Sequence, residues 1–426
     1  MSVNAHRRAS STPRSGERPR SSGGQRHGRT LGLPDWGLAL AVALVSRLAV
    51  LVVGYVVTGR RRVDGAPLHW SFVARFTREW AAKDGGSFIA IARGGYWRPH
   101  SAAFFPLYPL ALRGVAVLTG GDYALAGVLL SLACYAAAMV LLYRLTAAEF
   151  DTHTAALAVV FISVFPTALC FGLVYSESLF LLLTVAAFVF ARRGHWAAAG
   201  VAGMLAVATR SSGLALLPAL LLLYGRQQGW SWRSVSLRWP RDLRLGWLAL
   251  VPVGLLAFMA YLWWRLGDPL AFSVAERFWG RSLAVPTADI AHGYRAAVAA
   301  YHTLRAHRGG LPPLLLPSPG GHDPILALFG FATLLFAVAC VVAAWRRLTP
   351  AYTVFAIASL LVPLCFPTRL HPLYSFPRFT LVIFPLFMAL AYAMRKRPVL
   401  AWVLIACSFV GMLWLTRNFA LGIPSV

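Results

Sequence analysis

The chain of 426 residues reads as an all-α integral membrane protein, a bundle of about eleven transmembrane helices with two large extracytoplasmic loops. Three observations predict this class. The composition is 58% hydrophobic and only 13% charged, with a mean hydropathy of +0.65, whereas a soluble domain carries about 25% charged residues. The apolar excess is concentrated from Trp36 onward in windows approaching the ~20 residues that cross a bilayer. Short basic stretches recur between the windows, as cytoplasmic loops of membrane proteins do. Together these exclude a soluble enzyme, a secreted disulfide scaffold and a disordered chain. The formal charge of +26 is explained by topology and does not call for a nucleic-acid partner.

Residues 1–33 are rich in Arg, Ser, Gly and Pro and nearly lack large apolar side chains. They cannot bury enough surface to fold and read as a disordered basic cytoplasmic tail, leaving 34–426 as the membrane domain. The first apolar span, 36–58, starts too far from Met1 and runs too long for a cleaved secretory signal, and reads as a signal anchor. Further clear spans are 123–144, 154–173, 246–264, 324–345, 351–367, 377–394 and 398–416. Between them, Arg192-Arg193 and the break at Thr209-Arg210-Ser211-Ser212-Gly213 divide 177–224 into three short helices near 177–191, 196–209 and 213–224.

Orientation follows from the basic loops. The tail with its seven Arg, Arg192-Arg193, the five-Arg stretch 226–244, Arg346-Arg347 and Arg395-Lys396-Arg397 are expected on the cytoplasmic side. Counting from them puts 145–153 inside and Tyr175-Ser176-Glu177 outside. The loop after the first span is then also outside, so Phe104–Leu118 is expected to lie along the outer surface without crossing. Eleven crossings result, with the N-terminus cytoplasmic and the C-terminus outside. The two large outer loops are 59–122 and 265–323. No cytosolic segment has room for a nucleotide-binding domain and neither GxxxxGK[ST] nor GxGxxG occurs, which argues against an ATP-driven transporter in a single chain. The five cysteines fall in or beside apolar spans without CxxC or Cys/His spacing, so neither zinc nor disulfides are expected.

Acid–base chemistry is expected outside, where nine of the fourteen carboxylates fall. The densest outer constellation runs Trp80-Ala-Ala-Lys83-Asp84-Gly85-Gly86-Ser87-Phe88 through Arg93-Gly94-Gly95-Tyr96-Trp97, followed by Ala103-Phe104-Phe105-Pro106-Leu107-Tyr108-Pro109. A carboxylate beside two glycines can approach a substrate closely, and the aromatics Tyr96, Trp97, Phe105 and Tyr108 can stack on a sugar ring. The competing explanation is a helix N-cap at Asp84 with an interfacial aromatic belt.

These segments resemble the WDG…Y…IA..GY and AFFPLYP motifs of the PIG-V-like GPI mannosyltransferases and their bacterial relatives. Tyr175-Ser-Glu-Ser-Leu-Phe resembles the family's Y[ST]ESLF, Ala208-Thr-Arg210-Ser-Ser-Gly213 its TR..G, Gly267-Asp268-Pro269-Leu-Ala-Phe272 its GDPLAF, and Phe376-Pro377-Arg378-Phe379 its PR[YF]. Six motifs follow in order between residues 80 and 380. The resemblance implies a GT-C glycosyltransferase that takes a sugar, mannose by analogy, from a polyprenyl-phosphate carrier on the outer face. The acceptor would be an envelope glycan, glycolipid or glycoprotein, and no cofactor beyond the lipid-linked donor is implied. Lys83 departs from the pattern, standing where the family usually has Trp.

By this resemblance Asp84 is the general base of an inverting single displacement, and Glu177 a second acid near the acceptor. Cationic donors near the departing phosphate would be Arg378 first, then Arg210, Arg369 and His371. Each has a plainer alternative: snorkelling for Arg378, structural pairing for Arg210, helix capping for Glu177, and a turn for the proposed substrate contact Asp268. Glu276, Arg277, Trp279 and Arg281 could bind acceptor in the second outer loop, against which stands the reading of a solvated amphipathic face. No DxD or HExxH occurs, so no essential metal is expected. A transporter or lipid-linked sugar flippase is the competing function, since broken helices and an intramembrane arginine also fit a substrate path. A non-catalytic membrane subunit is a third.

Overall fold

A computed structural model describes residues 35–59, 77–229, 243–306, 324–368 and 372–423. The tail 1–33 and the candidates Arg369 and His371 lie outside the described residues. The described chain is helical throughout, with one isolated antiparallel bridge between Arg281 and Thr368. In chain order the helices are α1 (Asp35–Gly59), α2 (Asp84–Gly94), α3 (Leu107–Leu118), α4 (Tyr123–Glu149), α5 (Thr152–Val164), α6 (Glu177–Arg192), α7 (Trp196–Thr209) and α8 (Leu216–Gln227). They continue with α9 (Leu250–Leu266), α10 (Ala271–Ala275), α11 (Pro286–Ala306), α12 (Pro324–Arg347), α13 (Pro350–Leu364), α14 (Phe376–Leu381), α15 (Phe384–Met394) and α16 (Pro398–Ala420).

Among the described residues, five helical stretches are long and apolar enough to cross a membrane: Trp36–Thr58, Tyr123–Glu149, Arg244–Leu266, Pro324–Arg347 and Pro398–Ala420. Their outward faces are apolar, as with Leu44, Val45 and Leu48 on α1 and Trp402 on α16, which suits lipid. A sixth span forms if α5 and the 3-10 segment Pro166–Gly172, bent by 83° at their junction, are counted as one. Among the described residues five or six stretches thus have the length and apolarity to cross, and proline interrupts what hydropathy alone joins. The residue before Pro166, Phe165, is extended at φ −54°, ψ 141°, as proline demands of its predecessor, and 154–173 splits there. The 377–394 window likewise divides into α14 and α15, which has proline in its first turn at Pro385. At twelve residues, α3 is only ~18 Å long, against ~30 Å of hydrocarbon.

Small residues bring the helices together. The pair α7 and α9 packs through Gly203 and Gly254, and Gly200 meets Trp247 in the 3-10 segment before α9; a Cβ at Gly254 would lie 2.2 Å from the Met204 carbonyl oxygen. Such contact is the main source of helix association in lipid, where no hydrophobic drive remains. The ion pairs gather in two groups. Arg192 pairs with Glu149 at 3.0 Å and Arg395 with Asp151 at 3.9 Å. Asp84, Glu177, Glu276 and their arginines form the second group.

Candidate functional site

The break after α5 frames the site. Its 3-10 segment and the following Leu173–Ser176 strip run between elements far apart in sequence. The Thr167 hydroxyl donates to the Pro377 carbonyl at 3.1 Å, beside Arg378. The Val174 N–H donates to the Trp80 carbonyl at 3.1 Å, four residues before Asp84, and Glu177 begins α6 directly after the strip. Gly127 on α4 admits Val174, since a Cβ there would meet Val174 Cγ1 at 2.5 Å. Carbonyls freed by the bend need donors. Arg47, buried in the middle of α1, supplies them: its guanidinium donates to the Ala168 carbonyl and, at 3.0 Å, to the Ser163 carbonyl, and lies 4.8 Å from the Tyr135 ring centroid.

On this frame four charged side chains form a continuous chain. Asp84 Oδ2 accepts from an Arg378 terminal nitrogen at 2.5 Å, Arg378 Nε lies 3.4 Å from Glu177 Oε1, and Glu177 Oε1 accepts from Arg210 at 2.8 Å. Glu177 is 2% exposed. Charges at such depth persist only when paired. Phe379 carries three guanidiniums over its ring, those of Arg210, Arg281 and Arg378, at 5.1, 5.2 and 5.6 Å from the centroid, within cation–π range. Arg281 pairs with Glu276 at 3.2 Å. Three buried polar atoms in this group, Arg378 Nε, Arg281 Nε and Tyr175 Oη, have no hydrogen-bond partner among the described residues. Buried donors rarely stay unsatisfied, so the cluster holds spare hydrogen-bonding capacity for oxygens.

Asp84 is the first residue of α2 and Glu177 the first of α6, where a carboxylate meets the helix dipole favourably; neither helix start has a side-chain cap bond from its N-cap residue, and both carboxylates also pair with arginines. Lys83 precedes Asp84 at φ +56°, ψ −121°, a left-handed conformation that favours glycine, with its ammonium 4.9 Å from the Phe419 ring centroid.

Three aromatic candidates, Tyr96, Phe105 and Tyr108, are buried core residues. Tyr96 donates to the Phe104 carbonyl at 2.5 Å and packs on Phe258; Phe105 packs on Phe258 and Phe272; the Tyr108 hydroxyl meets Ser131 Oγ at 3.0 Å. Their rings pack against residues of α2, α4 and α9. Trp97 is 53% exposed, with the Arg98 guanidinium 4.0 Å from a ring centroid. Asp268 Oδ1 accepts from the Leu270 N–H at 2.8 Å, the turn alternative. The solvated reading of Arg281 fails, since its side chain is only 16% exposed. Arg47 went unremarked in the motifs, although an arginine at the centre of an apolar span is itself a signal. Among the described residues no three of His, Cys, Asp and Glu gather closely enough to hold a metal ion.

No family model matches the chain, and no curated protein matches it. Solved structures with partial similarity include the archaeal oligosaccharyltransferase AglB from Archaeoglobus fulgidus in complex with an inhibitory peptide and a dolichol-phosphate, at 14% identity and a TM-score of 0.39, covering 87% of this chain and 55% of that one. The Archaeoglobus fulgidus oligosaccharyltransferase in complex with Zn and sulfate is similar at 14% identity and a TM-score of 0.41, over 87% of this chain and 53% of that one. The chain thus spans about half the length of these structures.

Proposed function

We propose that the protein is a membrane glycosyltransferase that moves a sugar, mannose by its motif resemblance, from a polyprenyl-phosphate carrier to an extracytoplasmic hydroxyl acceptor. The observation that carries this reading is the chain Asp84–Arg378–Glu177–Arg210, which joins four of the six motif segments into one charged cluster. The acceptor hydroxyl gives its proton to Asp84 as its oxygen forms the new bond to the anomeric carbon. The bond from that carbon to the carrier phosphate oxygen breaks, and the phosphate leaves with the electron pair. Arg378 receives the growing charge, as a fixed cation does best in a water-poor site.

Asp84 and Arg378 cannot serve base and phosphate while fully engaged with each other. Their pairing is the resting arrangement in this reading: an entering phosphate draws the guanidinium toward its own oxygens and leaves the carboxylate free to take a proton. Glu177, held between two guanidiniums, acts as a positioning residue that keeps Arg378 and Arg210 aimed.

The test is purified protein in nanodiscs given radiolabelled polyprenyl-phosphate mannose and an envelope lipid extract. Label transferred to an acceptor supports the reading. Intact donor moved across the bilayer of a proteoliposome without transfer would make the protein a flippase.

A further inference from the structure

At the end of the bundle that holds the Glu149 and Asp151 ion pairs, α12, α15 and the Arg395–Arg397 turn enclose a cavity of about 580 Å³, within the ~300–1,000 Å³ of ordinary ligand sites. Its walls are apolar and small, namely Ala339, Val342 and Ala343 from α12 with Ala389 and Ala393 from α15, while its mouth carries Arg346, Arg347, Arg395, Lys396 and Arg397. Asp151 is the one acid that reaches this mouth among the described residues. It stands 3.9 Å from Arg395 and already accepts from the Thr154 N–H and hydroxyl at 2.7 and 2.9 Å. Arg395 is further engaged by Tyr392, with its guanidinium 3.8 Å from the ring centroid and a 3.0 Å bond to the hydroxyl. Arg346, Arg347, Lys396 and Arg397 have no carboxylate partner among the described residues. A short basic loop alone would satisfy the orientation rule; it does not require an alanine-lined hollow behind the charges.

We propose that this cavity is a binding site for an anionic phospholipid, whose phosphate sits among Arg346, Arg347 and Lys396 and whose acyl chain lies against Ala339, Val342, Ala343 and Ala393. The charge complementarity selects an anion, and the apolar wall open between two membrane helices selects one attached to a hydrocarbon chain. Val342 and Ala393 are exposed on that wall, so the chain has direct access from the bilayer.

The experiment uses the full chain in nanodiscs of phosphatidylcholine, alone or with a fraction of phosphatidylglycerol, followed by detergent extraction and native mass spectrometry of retained lipid. Wild type is expected to retain phosphatidylglycerol in preference to phosphatidylcholine. At about fivefold per cation near the headgroup plane, Arg346→Gln with Arg347→Gln should lower its apparent affinity roughly 30-fold. Because charge loss in a cytoplasmic loop can disturb insertion, Ala343→Leu with Ala393→Leu provides a second arm: it keeps every cation, fills the wall, and is expected to release the lipid. Equal retention of both lipids by wild type, or unchanged retention in the filled-wall variant, overturns the proposal. So does protection by inorganic phosphate equal to that by the lipid, which would make the mouth a plain anion site.

Discussion

Asp84→Asn separates the chemical role of this residue from its structural one. The substitution keeps shape and a hydrogen-bond acceptor but removes the charge that meets Arg378 at 2.5 Å and the ability to take a proton. A hydrogen bond between charged groups contributes ~1.5–3 kcal/mol. Arg378 keeps Glu177 at 3.4 Å, so the loss in stability should fall near the lower end, about 1.5 kcal/mol. Removing a general base costs roughly 10²–10⁴ in rate, equivalent to about 3–5 kcal/mol of activation free energy. With a total stability of ~5–15 kcal/mol, the variant stays folded while transfer collapses. Thermal melts of the purified variant and initial rates with radiolabelled polyprenyl-phosphate mannose read the two effects separately. Near wild-type transfer by the folded variant would mean that Asp84 is a counter-ion only, and the base would have to be sought elsewhere in the outer loops.

The other expectations are independent of one another. Arg378→Lys keeps charge but loses the fork, so the donor KM should rise more than kcat falls; an unchanged KM removes Arg378 from the donor site. Arg47→Met leaves the Ser163 and Ala168 carbonyls without their donor, each costing ~1–3 kcal/mol, and should lower both melting temperature and transfer rate, whereas a neutral result would show the bend to be self-sufficient. Asp289 on α11 is buried, with Oδ1 unpartnered; burial pushes its carboxyl up to about 6 against the pull of Arg281. An acid raised in the fold binds its proton more tightly there than in the unfolded chain, so wild-type stability should fall as pH rises from about 4 through about 6. Asp289→Asn should melt like wild type near pH 4 and a few degrees higher near pH 8; parallel profiles at both would refute it. Ser87→Cys should react with an impermeant thiol reagent on intact cells, and labelling only after lysis would invert the assigned topology.

Hydropathy and proline spacing made the helices legible, and where they failed the reason is local. The window 154–173 is apolar without interruption, yet Pro166 bends it by 83°, and the bend produces the strip that carries Val174 and Glu177. Burial of individual aromatics was not legible: Tyr96 and Tyr108 look like interfacial residues in sequence, because a phenol suits a wet boundary as well as a buried hydrogen bond. Which partner each ring finds depends on α2, α3, α4 and α9 meeting, and no local pattern encodes that meeting.

The charged cluster was half legible for a related reason. Asp84, Glu177, Arg210 and Arg378 each stood out singly, but Asp84 and Arg378 are separated by 294 positions, so their pairing is invisible to any local rule. Energetics supplies the missing step. A buried arginine on an apolar background needs either a counter-charge or a set of carbonyl acceptors such as Arg47 has, and carboxylates are scarce in this chain, at fourteen against forty basic residues. Of the acids deep in the fold, Asp84 and Glu177 are committed to arginines before any substrate arrives. In the proposed reaction a base recruited from such a pair stays engaged by its cation until a phosphate-bearing donor draws that cation away. In the proposed reaction this pairing couples proton acceptance at Asp84 to occupation of the donor site, a coupling that an unpaired carboxylate would not provide.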